Sequence, residues 1–301
     1  MSGQAAAAPP AKWRVYLRLG RVSNLPTVST NCLAGLLLAG GAPLLETLLP
    51  LLAALCCFYT GGMFLNDAYD HPFDARHRPE RPIPSGEIGA GEVYGVGFAL
   101  LALGEGLLAL PGLLVNGRPG VAPLLAGAVL GGLIVFYNRR HKSDPLSPLV
   151  MALCRAMVYV VAASLVVWPL VWPVQGGALV LVGYLIGLTY VAKQENLKEV
   201  RNLWPLLFLA VPFVYTAGAL TGISWAGLFY LLLLAWVIYG ISFLLRREGR
   251  NIPRAVVSLI AGISLLDGLL IAEAGGDPLW AGACVLGFAL TLFLQRYVPG
   301  T

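Results

Sequence analysis

Asn66, Asp70 and Asp74 recur at intervals of four, in the stretch Leu-Asn-Asp-Ala-Tyr-Asp-His-Pro-Phe-Asp that begins at Leu65. On a helix this spacing stacks three oxygen-bearing side chains on one face, a turn apart. Stacked carboxylates repel one another unless a cation sits between them. Hard oxygen donors so placed suit Mg²⁺, which keeps several waters and takes phosphate oxygens as further ligands. Asp67 adds another carboxylate, and Arg78 and Arg81 follow closely. A guanidinium grips phosphate oxygens in a fork. Carboxylates for a metal, beside guanidinium groups for phosphate, make a diphosphate site. The plainer alternative is a loop that happens to be charged, in a chain that is only 12% charged overall.

A second polar stretch runs Tyr190-Val-Ala-Lys193-Gln-Glu195-Asn-Leu-Lys-Glu199. Glu195 and Glu199 again lie four apart, and Lys193 supplies a cation. Alone this is weak, because Glu-x-x-x-Glu interleaved with Lys is ordinary on a solvated helix. Beside the first motif it reads as a second carboxylate pair facing the same cavity. Arg155 and Asp267 fall inside apolar segments. Charge buried in a membrane is costly and marks a polar cavity or a structural pairing. Either group is open to both readings. His71, His77 and His141 are too scattered for a metal triad, and His71 and His77 flank the first motif.

The elements that must position these groups follow from composition. Hydrophobic residues make up 58% of the chain, and mean hydropathy is +0.77. A soluble domain is about 45–50% apolar and about 25% charged, and a span needs about 20 apolar residues. Ten apolar segments lie near 24–41, 48–66, 90–111, 120–138, 148–169, 176–192, 203–221, 223–245, 254–274 and 278–296. The expected fold class is therefore all-α, a polytopic membrane helix bundle with about nine to ten transmembrane helices. The 36 Gly and 21 Pro fit helices packed closely in lipid. Residues 1–12 read as a disordered segment and 13–301 as a single membrane-embedded domain. Within it, 13–21 read as a short interfacial helix that places Arg14, Arg18 and Arg21 on one face.

Lys and Arg crowd the N-terminal segment and the loops near 76–81, 139–142, 193–201 and 246–254, whereas the alternate loops hold only Arg118. By the positive-inside rule the N-terminus and the charged loops face the cytoplasm, in an integral, multi-pass protein of the lipid bilayer. The net charge of +5 is thus a topology signal. It gives no support for nucleic-acid binding, since the basic residues are split among short loops. The five cysteines lie in apolar segments without a C-x-x-C pair, so no metal or disulfide role is expected of them.

Asn-Asp-x-x-Asp-x-x-x-Asp at 66–74, Arg78, and Arg81-Pro-Ile-Pro-Ser-Gly86 together resemble the first signature of the UbiA family of intramembrane prenyltransferases. The resemblance extends along the chain through the number of spans and the acidic loop after the sixth. It implies a UbiA-like fold and Mg²⁺ as cofactor. It also implies transfer of a prenyl group from a polyprenyl diphosphate to a lipophilic or aromatic acceptor. It carries Tyr137 and Lys142, in Tyr-Asn-Arg-Arg-His-Lys, into the diphosphate site, and it puts Arg21 and Asn24 at the cavity border. The site residues expected on this basis are Asn66, Asp67, Asp70, Asp74, Glu195 and Glu199 for catalysis, with all but Asp67 on the metal. Arg21, Asn24, Arg78, Arg81, Tyr137, Lys142, Arg155, Tyr190 and Lys193 are expected to hold the diphosphate. Two departures stand out. Glu195 and Glu199 replace the family's more usual Asp pair, and Pro72 interrupts the motif, so that the helix is expected to end near Asp70–Pro72. The loop wording is also similar to an EboC-like subgroup, which implies no particular acceptor.

Such a site works by neutralising the leaving diphosphate as the allylic C–O bond breaks. Tyr59, Tyr69, Tyr159, Tyr190 and Phe136 are candidates to shield the resulting cation through their ring faces. Two alternatives stay open. One is a terpene cyclase on the same scaffold, which needs no acceptor. The other is a lipid-binding or transport protein with a degenerate site.

Overall fold

The computed structural model describes residues 11–142, 144–194, 204–245 and 252–300. All ten apolar segments are helical there. The helices are α1 (Lys12–Leu19), α2 (Leu25–Leu38), α3 (Leu45–His77), α4 (Ala90–Leu107), α5 (Ala109–Asn116), α6 (Val121–Arg140), α7 (Ser147–Ser164), α8 (Trp172–Gln194), α9 (Val211–Tyr215), α10 (Trp225–Leu245), α11 (Ile252–Glu273) and α12 (Pro278–Leu294). Seven helical stretches among the described residues are long and apolar enough to cross a membrane, fewer than the nine or ten expected. The other three are cut short by identifiable breakers. The 14-residue α2 starts only after a 3₁₀ turn at Val22–Asn24 and spans about 21 Å. The stretch 204–220 is 3₁₀ and α in short pieces, with Pro205 and Pro212 removing donors. The 17-residue α12 begins at Pro278, capped by the Asp277 side chain.

Two apolar cores meet at α2 and α7. One face of each joins α3, α4 and α6 through Leu51, Leu55, Phe58 and Leu130. The opposite face joins α8, α10, α11 and α12 through Leu181, Leu233, Leu259 and Leu266. α2 and α7 touch backbone to backbone: a Cβ on Gly35 would sit 2.7 Å from the Tyr159 main chain. Close approach through small residues is how helices associate in lipid, where burial of apolar surface supplies little drive. Outward faces carry exposed Leu103, Leu125, Val129, Leu231 and Leu286, as expected of a lipid-facing wall.

Asp267 sits at the centre of this packing, fully buried on α11. It accepts from Asn31 Nδ2 at 2.8 and 2.9 Å and from the Tyr159 hydroxyl. It makes no ion pair among the described residues and does not line the cavity described below. Its hydrogen bonds tie α2, α7 and α11 together.

Two expectations about local structure need correction. α3 does not end near Pro72; it continues to His77, with Pro72 inside it. Neighbours hold it past the missing donor: Lys142 sits over the Phe73 ring, Phe73 stacks on His77, and Asp74 is pinned by Arg81. The interfacial helix is present as α1, but it stops at Leu19. Its residues Val15 and Leu19 are buried, Arg18 pairs with Glu87, and Lys12 pairs with Glu92 at 2.8 Å. Arg21 leaves the helical face because its backbone is left-handed, φ 43°. Of the segment expected to be disordered, only Ala11 and Lys12 are described, and Lys12 already begins α1.

Candidate diphosphate site

The unbroken α3 lays Asn66, Asp70 and Asp74 along one wall of a cavity of about 670 Å³ lined also by Arg21 and Asn24 ahead of α2 and by α6, α7, α8 and α11. Each donor is held by a neighbour. Asp70 Oδ1 lies 3.0 Å from Lys142 Nζ and 3.2 Å from His141 Nε2. Asp74, almost wholly buried, meets Arg81 at 3.3 Å. Asn66 accepts from Arg21 at 3.3 Å and donates to Asn138 at 3.1 Å, while Asn138 donates to the Gly62 carbonyl at 3.0 Å. That chain of amides fixes α6 against α3.

Asp67 points the other way and does not line the cavity. Its Oδ1 lies 3.0 Å from Arg81 and 3.5 Å from Arg21. It holds two guanidinium groups at the rim. The left-handed backbone at Arg21 is costly for a residue with a Cβ, about 1–2 kcal/mol. Strain of this kind persists where the surroundings over-determine it, and here the surroundings are Met63, Asn66 and Asp67.

Cations outnumber carboxylates around the cavity. Arg21, Arg78, Arg81, Lys142, Arg155 and Lys193 line the cavity, against the two carboxylates Asp70 and Asp74. Lys142 sits 3.6 Å over the Phe73 ring, and Lys193 donates to Ser147 Oγ at 2.8 Å. Tyr137 lines the wall and stacks on His141 with ring centroids 5.0 Å apart. An excess of cations in a partly enclosed, low-dielectric space concentrates a polyanion.

Other expected residues are placed less centrally. Asn24 lines the cavity, but its side chain is occupied by Tyr59, Gln295 and the Gly300 carbonyl. Tyr190 is half-buried beside the cavity-lining Thr189 and does not itself line the wall. Glu195 and Glu199 lie outside the described residues. Arg155 reaches the cavity from deep in α7, where it donates to Thr27 Oγ1. Of the five aromatic residues expected to shield a cation, only Tyr59 lines the wall. Tyr69 packs on Tyr94, Tyr159 bonds Asp267, and Phe136 is exposed.

Sequence reasoning missed Asn138, Ser147 and Thr27, and did not put His141 on the wall. The signal for His141 was present: it lies one helical turn after Tyr137, on the same face. The others owe their place to a partner distant in the chain, which spacing cannot reveal.

Among the described residues no three His, Cys, Asp or Glu side chains form a ready-made metal cage. Oxygen donors spread along one wall, facing cations, instead fit Mg²⁺ shared with a phosphorylated ligand. Fold and site together define a polytopic helical membrane protein whose cation-rich cavity is built for a polyanion.

The profile of the UbiA prenyltransferase family matches residues 28–259, and the chain belongs to that family. Among its curated relatives is digeranylgeranylglyceryl phosphate synthase of Ignicoccus hospitalis, 36% identical over 126 residues, which are 42% of this chain and 38% of the relative. The enzyme of the same name from Methanopyrus kandleri is 32% identical over 135 residues, 44% of this chain and 46% of the relative. The chain thus spans less than half the length of these relatives. A solved structure concerning digeranylgeranylglyceryl phosphate synthase superposes with a TM-score of 0.60 at 20% identity, covering 89% of this chain and 99% of the other. A UbiA homologue from Archaeoglobus fulgidus bound to DMAPP and Mg²⁺ superposes with a TM-score of 0.50 at 16% identity, covering 94% and 99%. At these identities the likeness is one of fold.

Proposed function

We propose that the protein is a Mg²⁺-dependent intramembrane prenyltransferase that ionises a polyprenyl diphosphate and passes the prenyl group to a lipophilic or aromatic acceptor. The observation that carries this reading is the meeting, in one cavity, of the Asn66/Asp70/Asp74 face with Arg78, Arg81, Lys142 and Lys193. Family membership and the names of the relatives support it. The Mg²⁺-bound homologue supports the choice of metal.

In this reading Lys142, Lys193, Arg78 and Arg81 take the diphosphate oxygens, and Tyr137 borders them. Their charge counts most as the C–O bond breaks and the leaving group gains charge. Asp67 keeps Arg21 and Arg81 aimed at the rim, and the Asn66–Asn138 bond keeps that wall from shifting. Asn66, Asp70 and Asp74, with Glu195 and Glu199, would hold Mg²⁺, which supplies further neutralisation of the diphosphate. Met63, Leu188 and Ile260 exclude water from the cation left behind. By the positive-inside rule this end of the bundle faces the cytoplasm.

The test is incubation of the purified protein with geranyl, farnesyl and geranylgeranyl diphosphates, with and without acceptors, and mass spectrometry of the products. A prenylated acceptor is expected. Cyclised hydrocarbon formed equally well without acceptor would overturn the transferase reading in favour of a cyclase. Intact diphosphate throughout would overturn both.

A further inference from the structure

We infer that Arg155 is the anchor for an anionic headgroup, a phosphate monoester or a carboxylate, on the acceptor substrate. This deepens the proposed transferase reading and rests on it.

The case begins with depth. Arg155 lies over the Tyr59 ring at 5.5 Å. Tyr59 is eleven residues before Asp70 on α3, about 16 Å along the axis. Arg155 is eight residues beyond Ser147, the partner of Lys193, on α7, about 12 Å along that axis. Two independent helices therefore put Arg155 well below the layer of Asp70, Lys142 and Lys193. A diphosphate held in that layer leaves Arg155 for another ligand.

The second argument is an unfilled donor. Arg155 Nη2 donates to Thr27 Oγ1, and Thr27, itself fully buried, donates onward to the Asn24 carbonyl at 2.7 Å. This fixes the guanidinium plane. Nη1 is buried and has no hydrogen-bond partner among the described residues. Arg155 makes no ion pair there either. Asp267 acts on it electrostatically, but its oxygens already serve Asn31 and Tyr159. An always-charged group kept in a membrane span, with a buried unpartnered donor on a side chain that lines a cavity, is a binding-site feature. The cavity is also lined by Leu55, Phe58, Leu130, Val158 and Ile263, which are apolar. They suit the lipophilic body of an amphiphile whose single anionic end meets the guanidinium.

The experiment reads binding in nanodiscs for the wild type, Arg155→Gln, Arg155→Lys and Thr27→Val. Four probes are used: geranylgeranyl thiolodiphosphate, a long-chain alkylglyceryl phosphate, the same alkylglycerol without phosphate, and 4-hydroxybenzoate. Arg155→Gln is expected to weaken the alkylglyceryl phosphate, 4-hydroxybenzoate or both by about tenfold or more, the scale of a charge-assisted hydrogen bond. The thiolodiphosphate should change by less than about twofold on the same scale. Alkylglycerol should bind the wild type and Arg155→Gln alike. Should Arg155→Gln fail to fold, Arg155→Lys and Thr27→Val are expected to show the same selective loss in smaller degree. Equal loss of the thiolodiphosphate would overturn the inference and assign Arg155 to the diphosphate. So would unchanged anion binding in every variant, or a wild type that binds the thiolodiphosphate but neither anionic acceptor. A wild type that does not bind the thiolodiphosphate would instead bring down the diphosphate reading itself, and this inference with it.

Discussion

Asp70 and Asp74 illustrate how a periodic pair becomes a site. Spacing alone put them on one face, and the structure keeps them there because α3 runs through Pro72 to His77. Each is met by a cation, so replacing one carboxylate by an amide leaves packing intact while removing charge from the wall. Asp70→Asn and Asp74→Asn are each expected to lower turnover by about 10²- to 10³-fold, the scale of one lost electrostatic stabiliser, with little change in melting temperature. Near-wild-type product formation in both variants contradicts the assignment. For Glu195→Gln and Glu199→Gln a smaller loss is expected, visible as a rise in the Mg²⁺ concentration at half-maximal rate, because water can replace a Glu ligand on Mg²⁺. An unchanged value in both variants means the second loop is only a solvated helix. Residue types with a local period were thus legible, and so was Arg81 beside them. Asn138 and Ser147 were not, since their partners Asn66 and Lys193 are distant in the chain. The opposite orientation of Asp67 was also hidden, because a sequence does not say which way a neighbouring carboxylate turns.

At the element scale, apolar segments of similar length give helices of different length. Ten apolar segments were legible and all ten are helical, but apolar composition measures where a chain is buried and not how far it runs. α2 and α12 are short, and Pro205 and Pro212 break up the stretch between α8 and α10. The same limit applies to helix ends: Pro72 reads as a stop, yet α3 continues to His77, with Phe73 under Lys142 and Asp74 on Arg81. What joins elements is also silent in a single sequence. Gly35 looks like any glycine in an apolar run until α7 is placed against it. Because the Tyr159 main chain is 2.7 Å from where a Cβ would stand, Gly35→Val is expected to destabilise the bundle by about 1–3 kcal/mol, the cost of overpacking. It should lower the melting temperature in detergent. An unchanged melting temperature would show that α2 and α7 can separate freely, and that Arg155 and Thr27 are not held as described.

At the scale of the whole molecule, two apolar cores share α2 and α7, and the polar cavity brings together Arg78 and Arg81 after α3, Lys142 after α6 and Lys193 on α8. Membrane character and the charged end of the bundle could be read from composition and charge placement. The enclosed shape of the cavity, and the separation of its rim from the deep Arg155 layer, required the fold. The function proposed for this cavity is metal-assisted cleavage of an allylic diphosphate. The most direct measurement is release of inorganic diphosphate from geranylgeranyl diphosphate by the protein in liposomes, supplied with candidate acceptors. It is made with Mg²⁺, after exhaustive chelation with EDTA, and after Mg²⁺ is restored. Release that needs Mg²⁺, stops on chelation, returns on restoration and falls by about 10²- to 10³-fold in Asp70→Asn is the expected result. Release undiminished by chelation, or equal in wild type and Asp70→Asn, would contradict it.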